Sequence, residues 1–85
     1  MRKGEYLRQN AILGARKEMD RQYERWGEQT HQSFYWLGIL MEEVGEASKA
    51  AIEYDGDAYR QELIHVAAVA INMIVCYDAH GAIWR

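Results

Sequence analysis

Two stretches decide how this chain folds: Met41-Glu42-Glu43-Val44-Gly45-Glu46-Ala47 and Gln61-Glu62-Leu63-Ile64-His65. In each, two side chains able to hold a metal stand three residues apart. On a helix that spacing puts both on one face, one turn apart. The second stretch opens the most apolar part of the sequence, Leu63 to Tyr77, interrupted only by His65 and Asn72. No segment shows the period-two alternation of strands, and there is no proline. The expectation is an all-α chain, with two neighbouring antiparallel helices facing each other across the acidic pairs.

Working outward, helix three is expected from about Ala58 to Ala79 or His80, closed by Gly81. From Leu63 onward it is apolar nearly all round, the pattern of a helix buried on every side. Three helices of one short chain can hardly enclose it, so a second subunit is expected to cover part of it. Glu62, His65, Val69, Asn72 and Cys76 fall within one arc of about 80°, so the polar exceptions share a face. Helix two is expected from about Phe34 to Glu53, with Leu37, Leu40, Val44, Ala47 and Ala51 as its stripe. Trp36, Ile39 and Ala50 widen that apolar arc. Glu43 falls inside it, Glu46 at its edge, and Glu42 points away. A carboxylate inside an apolar arc is costly unless paired or bound to a cation. Gly56 should serve as the C′ or turn glycine after helix two, and Asp57 as the next N-cap.

Helix one is expected from about Glu5 to Arg25, with Ile12, Met19, Tyr23 and Trp26 as a narrow apolar stripe beside Ala15. Its charged residues, Glu18 and Arg21 among them, are read as a solvated face. The polar, glycine-containing segment from Trp26 to Ser33 reads as a loop, with Thr30 or Ser33 capping helix two.

The chain has 85 residues, one cysteine, a formal net charge of −3 and a hydrophobic fraction of 49%. Residues 1–85 make one small domain, which buries only ~60–65% of the surface its unfolded chain exposes. Cys76 alone forms no disulfide and suits a reducing compartment. A metal and oligomerisation are the remaining stabilising devices. The negative charge argues against nucleic-acid binding. Met1-Arg2-Lys3 is followed by no apolar signal region, and Leu63–Tyr77, ~22 Å long as a helix, is too short for a typical span. A soluble cytoplasmic protein without membrane contact is expected.

Together, Glu43, Glu46, Glu62 and His65 form a candidate divalent-cation site. Carboxylate-rich sites suit Mg²⁺ or Mn²⁺. Such an ion can neutralise phosphate oxygens and acidify a water for in-line attack. One E-x-x-E is weak evidence; two acidic pairs flanking a short turn are moderately specific.

Glu42-Glu43-Val44-Gly45-Glu46, then after fifteen intervening residues Glu62-Leu63-Ile64-His65, resembles the MazG-like all-α nucleoside triphosphate pyrophosphohydrolase superfamily. That family's hallmark is E-x-x-E followed at similar distance by E-x-x-D. Trp26-Gly27-Glu28-Gln29 with His31, and Ala67-Ala68-Val69-Ala70, are similar to small bacterial and phage MazG-like proteins. The resemblance implies a homo-oligomeric helical bundle, a Mg²⁺ requirement, and cleavage of an NTP or dNTP to a nucleoside monophosphate and pyrophosphate. House-cleaning of non-standard nucleotides is one such role. Glu43, Glu46 and Glu62 match three of the four metal-binding acids. The fourth is Asp in the family and His65 here. Imidazole is a poor Mg²⁺ ligand and a better one for Mn²⁺, Fe²⁺ or Zn²⁺. Either the metal preference has moved, or His65 is a base or phosphate contact, or catalysis is lost, or His65 is a hydrogen-bonded core histidine.

Further substrate-binding candidates are Lys49 for a phosphate, Trp26, His31, Phe34 and Trp36 for stacking on a base, and Asn72 for a base or sugar edge. Each also has a structural reading, as core or surface. Two other functions share the fold. Glu62-x-x-His65 is also the ligand pattern of di-iron or di-manganese carboxylate bundles. The third reading is a catalytically degenerate nucleotide-binding or interaction module.

Overall fold

The computed structural model describes residues 2–85. It is helical throughout, with α1 over Lys3–Trp26, α2 over Ser33–Ile52 and α3 over Gly56–His80, and no strand among the described residues. The element types are those expected, and the ends differ by one or two residues. Three terminal details differ more. Gln32 caps α2, its side-chain oxygen accepting from the Phe34 N–H at 3.1 Å. Ser33 is the first helical residue rather than the cap. Asp55, not Asp57, caps α3 and accepts from the Ala58 N–H at 3.1 Å. Tyr54, not Gly56, carries the left-handed turn after α2, at φ 55°.

The chain reverses twice around α3, which packs against both α1 and α2. Among the described residues, the backbones of α1 and α2 do not meet. A cleft therefore opens between α1 and α2, with α3 as its floor. The α1–α3 crossing is tight where Gly14 faces Ile64. A Cβ on Gly14 would lie 3.0 Å from the Ile64 Cδ1. On α2 and α3 the core is Trp36, Val69 and Cys76, with Ile39, Leu40, Met73 and Ile83 against it. Ile83 reaches it because Gly81, at φ 73°, turns the chain back. The Ser33 N–H then donates to the Ile83 carbonyl at 2.6 Å, and the Ile83 N–H to Ser33 Oγ at 3.1 Å.

Two expected packing faces are corrected. Helix one does not dock through Ile12, Tyr23 and Trp26, which are 61%, 64% and 53% exposed. It docks through Ala15 and Glu18, its only buried residues among those described. The small Gly14 and Ala15 let α1 approach α3 closely, and the large side chains cannot follow. On α2, Leu37 and Ala51 are exposed, while Trp36, Ala47 and Ala50 are buried.

Much apolar surface is uncovered. On α3, Leu63, Ile71, Ile74, Val75 and Tyr77 are exposed, and on α2 Phe34, Leu37 and Met41. The radius of gyration, 14.2 Å, exceeds the ~12 Å of a compact domain of this length. At 25 residues, α3 is also long and apolar enough to cross a membrane. The estimate from Leu63–Tyr77 understated it: the whole helix is ~37 Å long.

Candidate metal centre

Helix periodicity places Glu62, His65, Val69 and Asn72 along the cleft floor. Glu43 comes from α2, one to two turns after the buried Trp36 and one turn before the buried Ala47. Three ligand atoms, one each from Glu43, Glu62 and His65, lie within 4.8 Å of one another. His65 Nδ1 is 3.1 Å from Glu62 Oε2 and 3.5 Å from Glu43 Oε2. All three side chains are half-buried. Glu46 does not join them. It is exposed, one turn further along α2.

The electrostatics follow from this crowding. Burial pushes the Glu43 carboxyl above its ordinary value, and a hydrogen bond with Glu62 adds to the rise; His65 opposes it. Two carboxylates sharing one site cannot both be comfortably charged, unless a cation is placed between them.

A fourth group arrives from α1. Glu18 is 6% exposed, the only buried charged residue among those described. Its Oε1 lies 3.6 Å from His65 Nε2. Arg21 grips it with two hydrogen bonds, Nε to Oε1 at 2.9 Å and Nη2 to Oε2 at 2.7 Å. Gln22 Nε2 donates to Oε2 at 2.9 Å. The Arg21 hydrogen bond outweighs burial and holds the Glu18 carboxyl below its usual range, with Gln22 pulling the same way. Gln22 in turn accepts from Asn72 Nδ2 at 3.1 Å, so α1 is tied to the floor by a continuous polar chain.

Above the cluster is a pocket of about 250 Å³, whose wall includes Trp26, Trp36, Gln29, Asn72, Arg21 and the cluster residues Glu43 and His65. Of the expected substrate contacts, Trp26, Trp36 and Asn72 are therefore brought together beside the acids. His31 is not in this wall; it packs edge-on against Trp36, ring centroids 4.8 Å apart, and backs it. Phe34 packs on Trp84 outside the pocket. Lys49 is exposed and absent from the wall. The Trp36 indole N–H is buried with no hydrogen-bond partner among the described residues.

Glu18, Arg21, Gln22 and Gln29 were not expected at a site. A signal existed: Ala11, Ala15, Glu18 and Gln22 recur at four- and three-residue steps, a stripe of small and polar residues beside the large apolar one. The chain matches no protein-family model, no curated protein and no solved structure.

Proposed function

We propose that this chain is a metal-dependent nucleoside triphosphate pyrophosphohydrolase of the MazG-like kind, acting as a homo-oligomer in the cytoplasm. One observation carries the proposal: Glu43, Glu62 and His65 converge from two antiparallel helices, beside a pocket walled by two indoles. Ligands sharing a cation at ~2.1 Å bonds lie about 3–4 Å apart, so a small side-chain rotation closes the observed spread. Two carboxylates and an imidazole suit Mn²⁺ better than Mg²⁺. Relief of the Glu43–Glu62 crowding is a further reason for a cation to enter.

A bound divalent ion supplies charge for the phosphate oxygens and acidifies a water. The remaining work falls to the chain. Glu43, Glu62 and His65 hold the ion, and Glu18 and Gln61 orient the His65 ring from its other nitrogen. Glu46 is assigned no direct ligand role. Trp26 and Trp36 offer faces to a base, and the unpartnered Trp36 N–H and Asn72 offer it hydrogen bonds. In the reaction, a water oxygen bonds to the α-phosphorus. The bond from that phosphorus to the α–β bridging oxygen breaks, and this oxygen leaves with pyrophosphate. The water's surplus proton passes to a cluster carboxylate and on to solvent.

The uncovered apolar arc of α3 lies on the side away from His65. Pairing of two chains through it would bury that arc and leave one cluster per chain, which disfavours a dinuclear site shared on the symmetry axis. The polar face of α3 is occupied by α1, a charged helix, through Asn72–Gln22 and His65–Glu18; this supports a bundle helix over a membrane span. One observation favours a non-catalytic nucleotide-binding module instead: His65 already has partners at both ring nitrogens, Glu62 and Gln61.

Pyrophosphate release from a panel of NTPs and dNTPs, with Mg²⁺ or Mn²⁺, separates these. Turnover with Mn²⁺ is expected, reduced ~100-fold or more by Glu43→Gln, since loss even of a ligand's hydrogen-bonded partner costs about 10–100-fold. Nucleotide binding without product in any condition supports the module.

A further inference from the structure

The phosphate contact expected of Lys49 is not at the site, yet cations are close by on another side. A second recess, of about 260 Å³, lies in the α1–α3 groove. Lys17 and Arg21 from α1 and Arg60 from α3 line it, together with Gln61. The tightly packed Gly14 and Ile64 also line it. Glu18 is the only acid in its lining, and that carboxylate is already held by Arg21 and Gln22. Three cationic side chains thus face one neutralised acid. The Arg21 guanidinium spends only its Nε and one Nη on Glu18, so further N–H groups remain for an acceptor.

The recess adjoins the metal centre. Glu18 and Arg21 line both cavities, and Gln61 bridges the recess to His65 with an Nε2-to-Nε2 separation of 3.2 Å. The two indoles line the same pocket as Glu43 and His65, and the cationic recess meets that pocket at Glu18 and Arg21. We propose that Lys17, Arg21 and Arg60 form a diphosphate site, which takes the two terminal phosphates of a nucleoside triphosphate, the part that leaves as pyrophosphate. The assignment rests on the pyrophosphohydrolase reading for its substrate. It rests on the cation cluster alone for its ligand chemistry, a compact polyanion. Removal of one cation weakens the site, and added salt screens it.

The test is calorimetric titration of inorganic pyrophosphate into the metal-free chain at low salt. Lys17→Gln and Arg60→Gln remove two exposed cations of the recess. Arg8→Gln removes one elsewhere on α1, and circular dichroism checks that each variant is folded. The expected result is binding by the unaltered chain, weakened about tenfold or more by each recess variant, a loss of ~1.4 kcal/mol, and less than twofold by Arg8→Gln. Equal affinity in all variants, equal losses in all three, or no binding by the unaltered chain overturns the diphosphate site. Nucleotide assays run in parallel keep the two readings apart. Recess-dependent pyrophosphate binding without nucleotide cleavage overturns the hydrolase and leaves the site standing. Nucleotide cleavage with pyrophosphate binding that ignores Lys17 and Arg60 overturns the site alone.

Discussion

His65 is ringed by Glu62, Glu43 and Glu18, at 3.1, 3.5 and 3.6 Å, and the balance among these groups bears on stability and, in the proposed metal site, on the choice of ion. The Glu43 carboxyl is raised by burial and by its contact with Glu62, so in the metal-free chain it opposes folding near neutral pH. Glu43→Gln is accordingly expected to raise the metal-free melting temperature. With Mn²⁺ at about 100 times its dissociation constant, the unaltered chain should gain ~2.7 kcal/mol, and the variant little; differential scanning in chelator and in Mn²⁺ checks the crossing. Glu18 has the opposite sign. Its carboxyl is depressed in the folded chain, chiefly by Arg21, so its contribution is complete above the ordinary carboxylate value of 4.5 and fades as pH falls through the lower folded value. Glu18→Gln should therefore be less stable than the unaltered chain at neutral pH, and the gap should narrow as the solution is acidified. His65→Asp is expected to raise Mg²⁺-supported relative to Mn²⁺-supported turnover, since carboxylate is the harder ligand. An unchanged ratio removes His65 from the ligand set.

At the scale of elements, the weak joint is the α2–α3 turn. Tyr54 is 95% exposed and sits at φ 55°, a conformation that disfavours a side chain by ~1–2 kcal/mol. Tyr54→Gly should stabilise the chain by about 1 kcal/mol, which for this length shifts the melting temperature up by ~4–8 °C. The three helices were legible in the sequence because hydrophobic periodicity is a local property. So was the alignment of Glu62, His65 and Asn72, since angles along one helix need no tertiary information. The facing of Glu43 followed from the short connection, which leaves α2 and α3 no arrangement but antiparallel. Glu18 was not legible. Its burial depends on which face of α1 docks, and Gly14 and Ala15 decide that by admitting close approach, against the larger but excluded Ile12 and Tyr23. Asp55 and Asp57 are equally good caps by residue type, and only the turn at Tyr54 selects between them.

Across the whole molecule, apolar residues of α2 and α3 are left uncovered and the radius of gyration is large for the length; in the proposed homo-oligomer another copy covers them. Ile74, 58% exposed, stands near the middle of that arc and far around the helix from His65. Ile74→Glu should dissociate the assembly to monomers in analytical ultracentrifugation, while the unaltered chain sediments as a larger species. A monomeric unaltered chain would leave the arc without the proposed cover. The candidate metal centre, in contrast, lies within one chain, from Glu43 on α2 and Glu62 and His65 on α3, so cation stoichiometry should not depend on assembly. The most direct measurement is Mn²⁺ titration of the chelator-treated chain, followed by electron paramagnetic resonance, for the unaltered protein and for Glu62→Gln. One Mn²⁺ bound per chain, with affinity lost in Glu62→Gln, is the expected result. No saturable Mn²⁺ binding, or the same binding in both proteins, contradicts a metal centre at Glu43, Glu62 and His65.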